Sequence, residues 1–167
     1  MTKLIEGVVE GLVSALQAGM PARLQAIESE MPDDIALDQP RLYLDYRAQP
    51  GEFSEWPAVC VAAGVTTFTA DAGSWADGAH QCAIVVYLQE ADPRAMALKL
   101  LRYQRAVIEV LVRSRVGVLN TDGQAAWAGM NVTGTQPGQR FNLQDFPPNV
   151  FGDYTVVYVR ATRVEDL

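Results

Sequence analysis

The chain has 167 residues, 49% of them hydrophobic and 20% charged, with a net charge of −7. That size and mix suit a single domain over 1–167 that buries roughly two-thirds of its unfolded surface, and they exclude a collagen, a disulfide scaffold and a wholly disordered chain. The acidic balance argues against nonspecific nucleic-acid binding, which needs clustered cations. The longest apolar run, about eight residues from Ala58, falls far short of the roughly 20 that a membrane-spanning helix needs.

The elements follow in chain order. Lys3 is soon followed by Glu6, so the start lacks the basic and then uninterrupted apolar pattern of a secretory signal, and none is expected. Leu4, Ile5, Val8, Leu12, Ala15 and Leu16 recur at helical spacing behind Thr2 as a capping residue. Gly19 is read as the end of this helix and Pro21 as the first turn of another, with Leu24, Ile27 and Met31 on its apolar face and Pro32 as its stop. The outcome expected is a helix pair, or one helix kinked near Gly19–Pro21. Pro32–Pro57 is acidic, proline-bearing and broken, with Leu42, Leu44 and Tyr46 alternating as a short strand. Ala58–Ala63 reads as a buried strand, Gly64–Gly78 as a polar excursion, and Gln81–Gln89 as a central strand with both faces apolar.

Asp92-Pro93 opens the clearest helix, Asp92 as cap and Pro93 at the first helical position, running to about Arg115 before Gly117. Ala97, Leu100, Leu101, Val107, Ile108, Leu111 and Val112 are assigned to its core face. Lys99, Arg102, Glu109 and Arg113 are assigned to the solvent side, with Arg105 flanking and paired to Glu109. Ala128–Thr135 and Tyr154–Arg163 are the last strands, separated by a loop over Gln136–Gly152. Strands joined by hairpins imply an α+β fold: a mainly antiparallel sheet of about four to five strands, with an N-terminal helix and one long helix packed on it.

Charge is unevenly spread, at −6 over residues 1–57 and +4 over residues 92–116. Opposite signs on one chain suit either a solvated helix face or self-association through complementary surfaces.

The chemistry is sparse. His80 is the only histidine, and with Cys60 and Cys82 it gives no metal-ligand spacing. The two cysteines read as small buried hydrophobes, with a bridge between neighbouring strands as the lesser reading. Asp33, Asp34 and Asp38 lack the ligand alternation and glycine of a calcium loop. A glycosidase-like carboxylate pair leaves no sequence signal, because such pairs form by folding. Phosphate-binding glycine loops and a nucleophile elbow are not found, and Asn131-Val132-Thr133 matches a glycosylation acceptor that matters only after secretion. No catalytic residue, cofactor or metal is therefore expected. Trp56 and Trp127 are read as core plugs, and Trp75 as core or interface anchor.

One layout runs through these elements. An amphipathic helix leads to Trp56-Pro57-Ala58-Val59-Cys60-Val61. A polar hairpin excursion and His80-Gln81-Cys82-Ala83-Ile84-Val85-Val86-Tyr87 follow. Asp92-Pro93 then opens a long helix, and Tyr154-Thr155-Val156-Val157-Tyr158-Val159 closes the chain. In architecture and hydrophobic pattern it resembles the tail terminator and neck proteins of long-tailed bacteriophages, with residues 117–152 lacking a counterpart. The resemblance implies a non-enzymatic virion subunit, assembled in the host cytoplasm. It would form a ring, typically a hexamer, that caps the tail tube and docks the head–tail connector, with DNA passing through it. A head–tail connector or tail-completion role is the nearer alternative. A small cytoplasmic enzyme or ligand-binding domain, with a pocket of His80, Tyr87 and Asp92, is the more distant one. A ring needs two different complementary patches on each subunit. The residues expected there are Arg102, Arg105 and Arg113 on the basic side, Asp33 and Asp34 on the acidic side, and Trp75.

Overall fold

The computed structural model describes residues 4–71, 74–114, 127 and 129–164, with the side chains of 4, 68–77, 163 and 164 excepted. Gly117 and Ala128 lie outside the described residues, as does the side chain of Trp75. The elements are α1 (Leu4–Glu30), β1 (Leu42–Leu44), β2 (Ala58–Asp71), β3 (Ser74–Glu90), α2 (Pro93–Arg113), β4 (Gly129–Pro137) and β5 (Phe151–Val164). The strands form one sheet in the order β1-β2-β3-β5-β4, in which only the short β1–β2 pair is parallel. The α+β class and the mainly antiparallel sheet are as the sequence leads one to expect.

The expected helix pair is instead the single helix α1, which runs through Gly19 and Pro21. A mid-helix proline costs roughly 3 kcal/mol through its lost N–H and its ring clash. The opposing term is the apolar face that runs unbroken across it, since Val8, Leu12, Leu16, Met20, Leu24 and Ile27 are all fully buried. Gly19 serves packing rather than termination. A Cβ placed there would lie 2.8 Å from a methyl of Val110 on α2, so the glycine lets the two helices approach.

The Gly64–Gly78 excursion is a hairpin, as its place in the layout leads one to expect. It forms the distal half of a β2–β3 hairpin, paired from Thr66↔His80 to Asp71↔Ser74 beyond a bulge at Ala63/Thr66.

Alternation along β3 divides the interior. Cys82, Ile84, Val86 and Leu88 join Val59, Val61, Val157 and Val159 beneath the two helices. Val85 and Tyr87 join Ala58, Cys60 and Val156 on the other face. That second face carries aromatic rings of its own strands and of the flanking loops: Tyr87 and Tyr154 lie 5.3 Å apart, Phe53 and Trp56 meet edge-on at 5.1 Å, and Phe146 reaches Trp56 at 5.4 Å. Trp56 is thus a half-buried member of this layer. Trp127 is buried under the helices and donates its indole N–H to the Ser114 carbonyl at the end of α2, at 3.1 Å. Cys60 and Cys82 are buried free thiols on opposite faces of the sheet, so no bridge joins them.

Candidate functional site

The start of α2 is built as its sequence dictates. Asp92 is extended (φ −89°) and accepts the Arg94 N–H at 3.0 Å, with Pro93 as the first helical residue. This fixes the rotation of α2 and hence which residues point outward.

Arg102 does not stand on the solvent side. It is only 6% exposed, and its guanidinium grips the Asp33 carboxylate with two hydrogen bonds, one of 2.9 Å from Nη1 to Oδ1 and a second from Nη2 to Oδ2. The fork geometry of arginine matches a carboxylate in this bidentate mode. That bond holds the Asp33 carboxyl below its ordinary range and raises Arg102 above its own. From the next residue of α2, the Tyr103 hydroxyl donates to the Asp38 carbonyl, and the Leu37 N–H donates to Glu28 at 3.0 Å. The acidic segment after α1 is therefore strapped across α2 within one chain.

The neighbouring cations are engaged in the same way. Arg105 pairs with Glu30 at 2.6 Å and with Glu109 at 2.7 Å, while Arg23 bridges Glu30 at 3.1 Å and also meets Glu109. Lys99 holds Glu90 at 2.7 Å. Arg113 and Asp34 are exposed, and among the described residues neither forms an ion pair. Of the expected interface residues, the fold thus brings Arg102 to Asp33 inside the chain and ties Arg105 to α1, and leaves Arg113 and Asp34 facing water.

The outward side of α2 carries apolar residues that helical spacing alone assigns to the core. Leu101 is 62% exposed and Val112 is 45% exposed. Helical spacing sets Leu98 and Ile108, both half-buried, alongside them, with Ile108 also packed against the core beneath the helices. Arg94, exposed, and Arg105 lie in the same stripe. An apolar row of this kind on a helix whose other side already fills the core is a surface suited to a protein partner. The signal was in the sequence, because α2 has more apolar residues than one face can hold.

His80, Tyr87 and Asp92 do not form a pocket. His80 is buried on the helix face of β3, with Nδ1 3.0 Å from the Thr66 hydroxyl, whereas Tyr87 lies on the opposite face and Asp92 caps α2. Asp92 instead lines a shallow cleft of about 350 Å³ with Asp33, Asp34 and Arg94. Among the described residues no cluster of histidine, cysteine and carboxylate is arranged to hold a metal ion, and no helix is long and apolar enough to cross a membrane.

No protein-family model and no curated protein matches the chain. Among solved structures it is similar to a chain from the virion of a native gene transfer agent particle, at 15% identity over 90% of this chain and 97% of that one, with a TM-score of 0.30. A superposition at that score leaves the reading of this chain to its own residues.

Proposed function

We propose that this protein is a non-enzymatic structural subunit of a phage-type virion, acting as a tail terminator that forms a ring and caps the tail tube. The observation that carries the reading is the outward apolar stripe of α2, with Leu101 and Val112 exposed on a helix whose inner side is already packed. Such a row suits contact with a second protein surface, and in the proposed assembly it meets the adjacent virion component. The resemblance of the element order to tail terminator and neck proteins supports the same reading. The partners are further copies of the chain, the tail tube protein and the head–tail connector, and the location is the virion tail or neck after assembly in host cytoplasm.

Native mass spectrometry with negative-stain imaging of the full chain tests the assembly, and incubation with preformed tail tubes tests the role. A closed ring that binds one tube end and stops its growth is the expected result. A ring that ignores tubes but binds the connector moves the role to head–tail joining. A monomer at every concentration overturns the reading.

A further inference from the structure

The two edges of the sheet match each other. β1 covers the outer edge of β2 only from Ala58 to Cys60, after which the chain bends away at Asp45. Among the described residues β3 is the only strand paired with β2 from Val61 to Thr69, which leaves its other edge open over nine residues. At the far side of the sheet β4, also nine residues long, pairs among the described residues only with β5. Neither stretch contains a charged residue. Open edges template pairing with another chain, and natural sheets blunt them with charges, prolines or bulges; these edges carry no charge, while each has one bulge and β4 ends at Pro137.

Direction also fits. β2 is antiparallel to β3, β3 to β5, and β5 to β4, so β2 and β4 run in opposite senses. A second copy continuing the sheet with its helices on the same side therefore brings its β4 antiparallel to this β2. We infer that the open edge of β2 pairs with β4 of a second copy of this chain, joining the sheets of adjacent subunits head to tail. The contact is heterologous, since each copy offers a different edge to each neighbour, and repeated with a closing rotation it generates a ring. Each edge carries one bulge, at Ala63/Thr66 and at Val132/Gly134. Bulges bend and twist a strand, which is the curvature that a closed sheet needs. The inference rests on the ring reading above and names its contact.

Full overlap of the two edges sets Val65 opposite Thr133 of the neighbour. Val65 is 63% exposed and Thr133 is exposed, so both are open to a partner. The test mixes a Val65→Cys variant with a Thr133→Cys variant under mild oxidation, and repeats the mixture with Asn131→Cys and Thr135→Cys to cover a two-residue slip. The native thiols Cys60 and Cys82 are buried and stay out of the reaction. A cross-linked dimer in a mixture, with none from any single variant, is the expected result, and the double variant Val65→Cys/Thr133→Cys should give covalent oligomers up to the ring. A ring on native mass spectrometry with no mixed cross-link at any of the three positions overturns the edge pairing and leaves the ring reading standing. Cross-linking of a single variant to itself also overturns it, since that is a symmetric contact. Absence of any ring overturns both.

Discussion

Gly19→Ala sets two effects of similar size against each other, and the contact with Val110 decides which one wins. In an exposed helix interior the change gains about 1 kcal/mol, because glycine has the greater backbone freedom to lose. Here the new Cβ meets Val110 Cγ1 at 2.8 Å and Cγ2 at 3.0 Å, where carbon atoms ordinarily settle at about 3.5–4.0 Å. Val110 is buried and β-branched, so in a helix it has one strongly preferred rotamer and little room to turn away. Overpacking of this kind costs about 1–3 kcal/mol, which leaves Gly19→Ala neutral to destabilising by about 2 kcal/mol. Val110→Ala alone loses about two buried carbons and leaves a cavity, a cost of roughly 1.5–3 kcal/mol. In that background the clash is gone and only the helix gain remains, so Gly19→Ala should now stabilise by about 1 kcal/mol. Urea unfolding of the four proteins in a double-mutant cycle measures this directly. The expected coupling is about 1–3 kcal/mol, with a change of sign between backgrounds. Additivity within about 0.5 kcal/mol, or a gain of about 1 kcal/mol in the wild-type background, refutes the close approach of α1 and α2 at this point.

Other consequences follow from the placement of side chains on α2 and β3. Leu111→Ala, at a fully buried site, should cost about 2–5 kcal/mol in urea unfolding, whereas Leu101→Ala, on the outward stripe, should stay within about 1 kcal/mol. Arg102→Glu should lower the thermal midpoint far more than Arg113→Glu, since the first sets a carboxylate against Asp33 and the second alters an exposed residue. The hydrogen bond from Arg102 lowers the pKa of Asp33 from 3.8, so its contribution to stability is complete above that pH and is lost as the pH falls through the lower folded-state value. Asp33→Asn should therefore flatten the fall of the thermal midpoint below about pH 4, and an unchanged acid limb would dismiss the pair. Burial pushes the Cys82 thiol up to about 11 and raises Cys60 as well, so an exposed-thiol reagent at pH 8 should label neither until the protein unfolds.

Much of the fold is legible from local rules. Asp92-Pro93 marks the start of α2 to the residue, and strict alternation over Cys82–Leu88 identifies a strand covered on both faces. The misreadings share a cause. Gly19 and Pro21 are punctuation by local propensity, yet a helix follows its buried stripe when that stripe is long enough, and α1 places glycine where the neighbouring helix needs room. Leu101 and Val112 fall in with Val107 and Leu111 by sequence because periodicity finds apolar positions without telling which of two sides meets the core.

The charge pattern contains the same lesson with a consequence for assembly. A basic segment and an acidic segment far apart in sequence invite a partner molecule to join them, but the chain joins them itself. Arg102 reaches Asp33 across 69 residues and Arg105 reaches Glu30 across 75. Their mutual neutralisation fastens the acidic segment to α2, and it leaves uncharged strand edges and an apolar helix stripe as the surfaces on which the proposed ring depends. Exposed ion pairs contribute only about 0–1 kcal/mol each, and at ~1 M salt the Debye length shrinks to about 3 Å. A ring held by backbone pairing and apolar contact is nearly indifferent to that change, because apolar burial is not screened by salt. Sedimentation at low salt and at ~1 M salt should then give the same assembly. A ring that dissociates to monomers in high salt would show instead that residual charges such as Arg113 and Asp34 hold the subunits together.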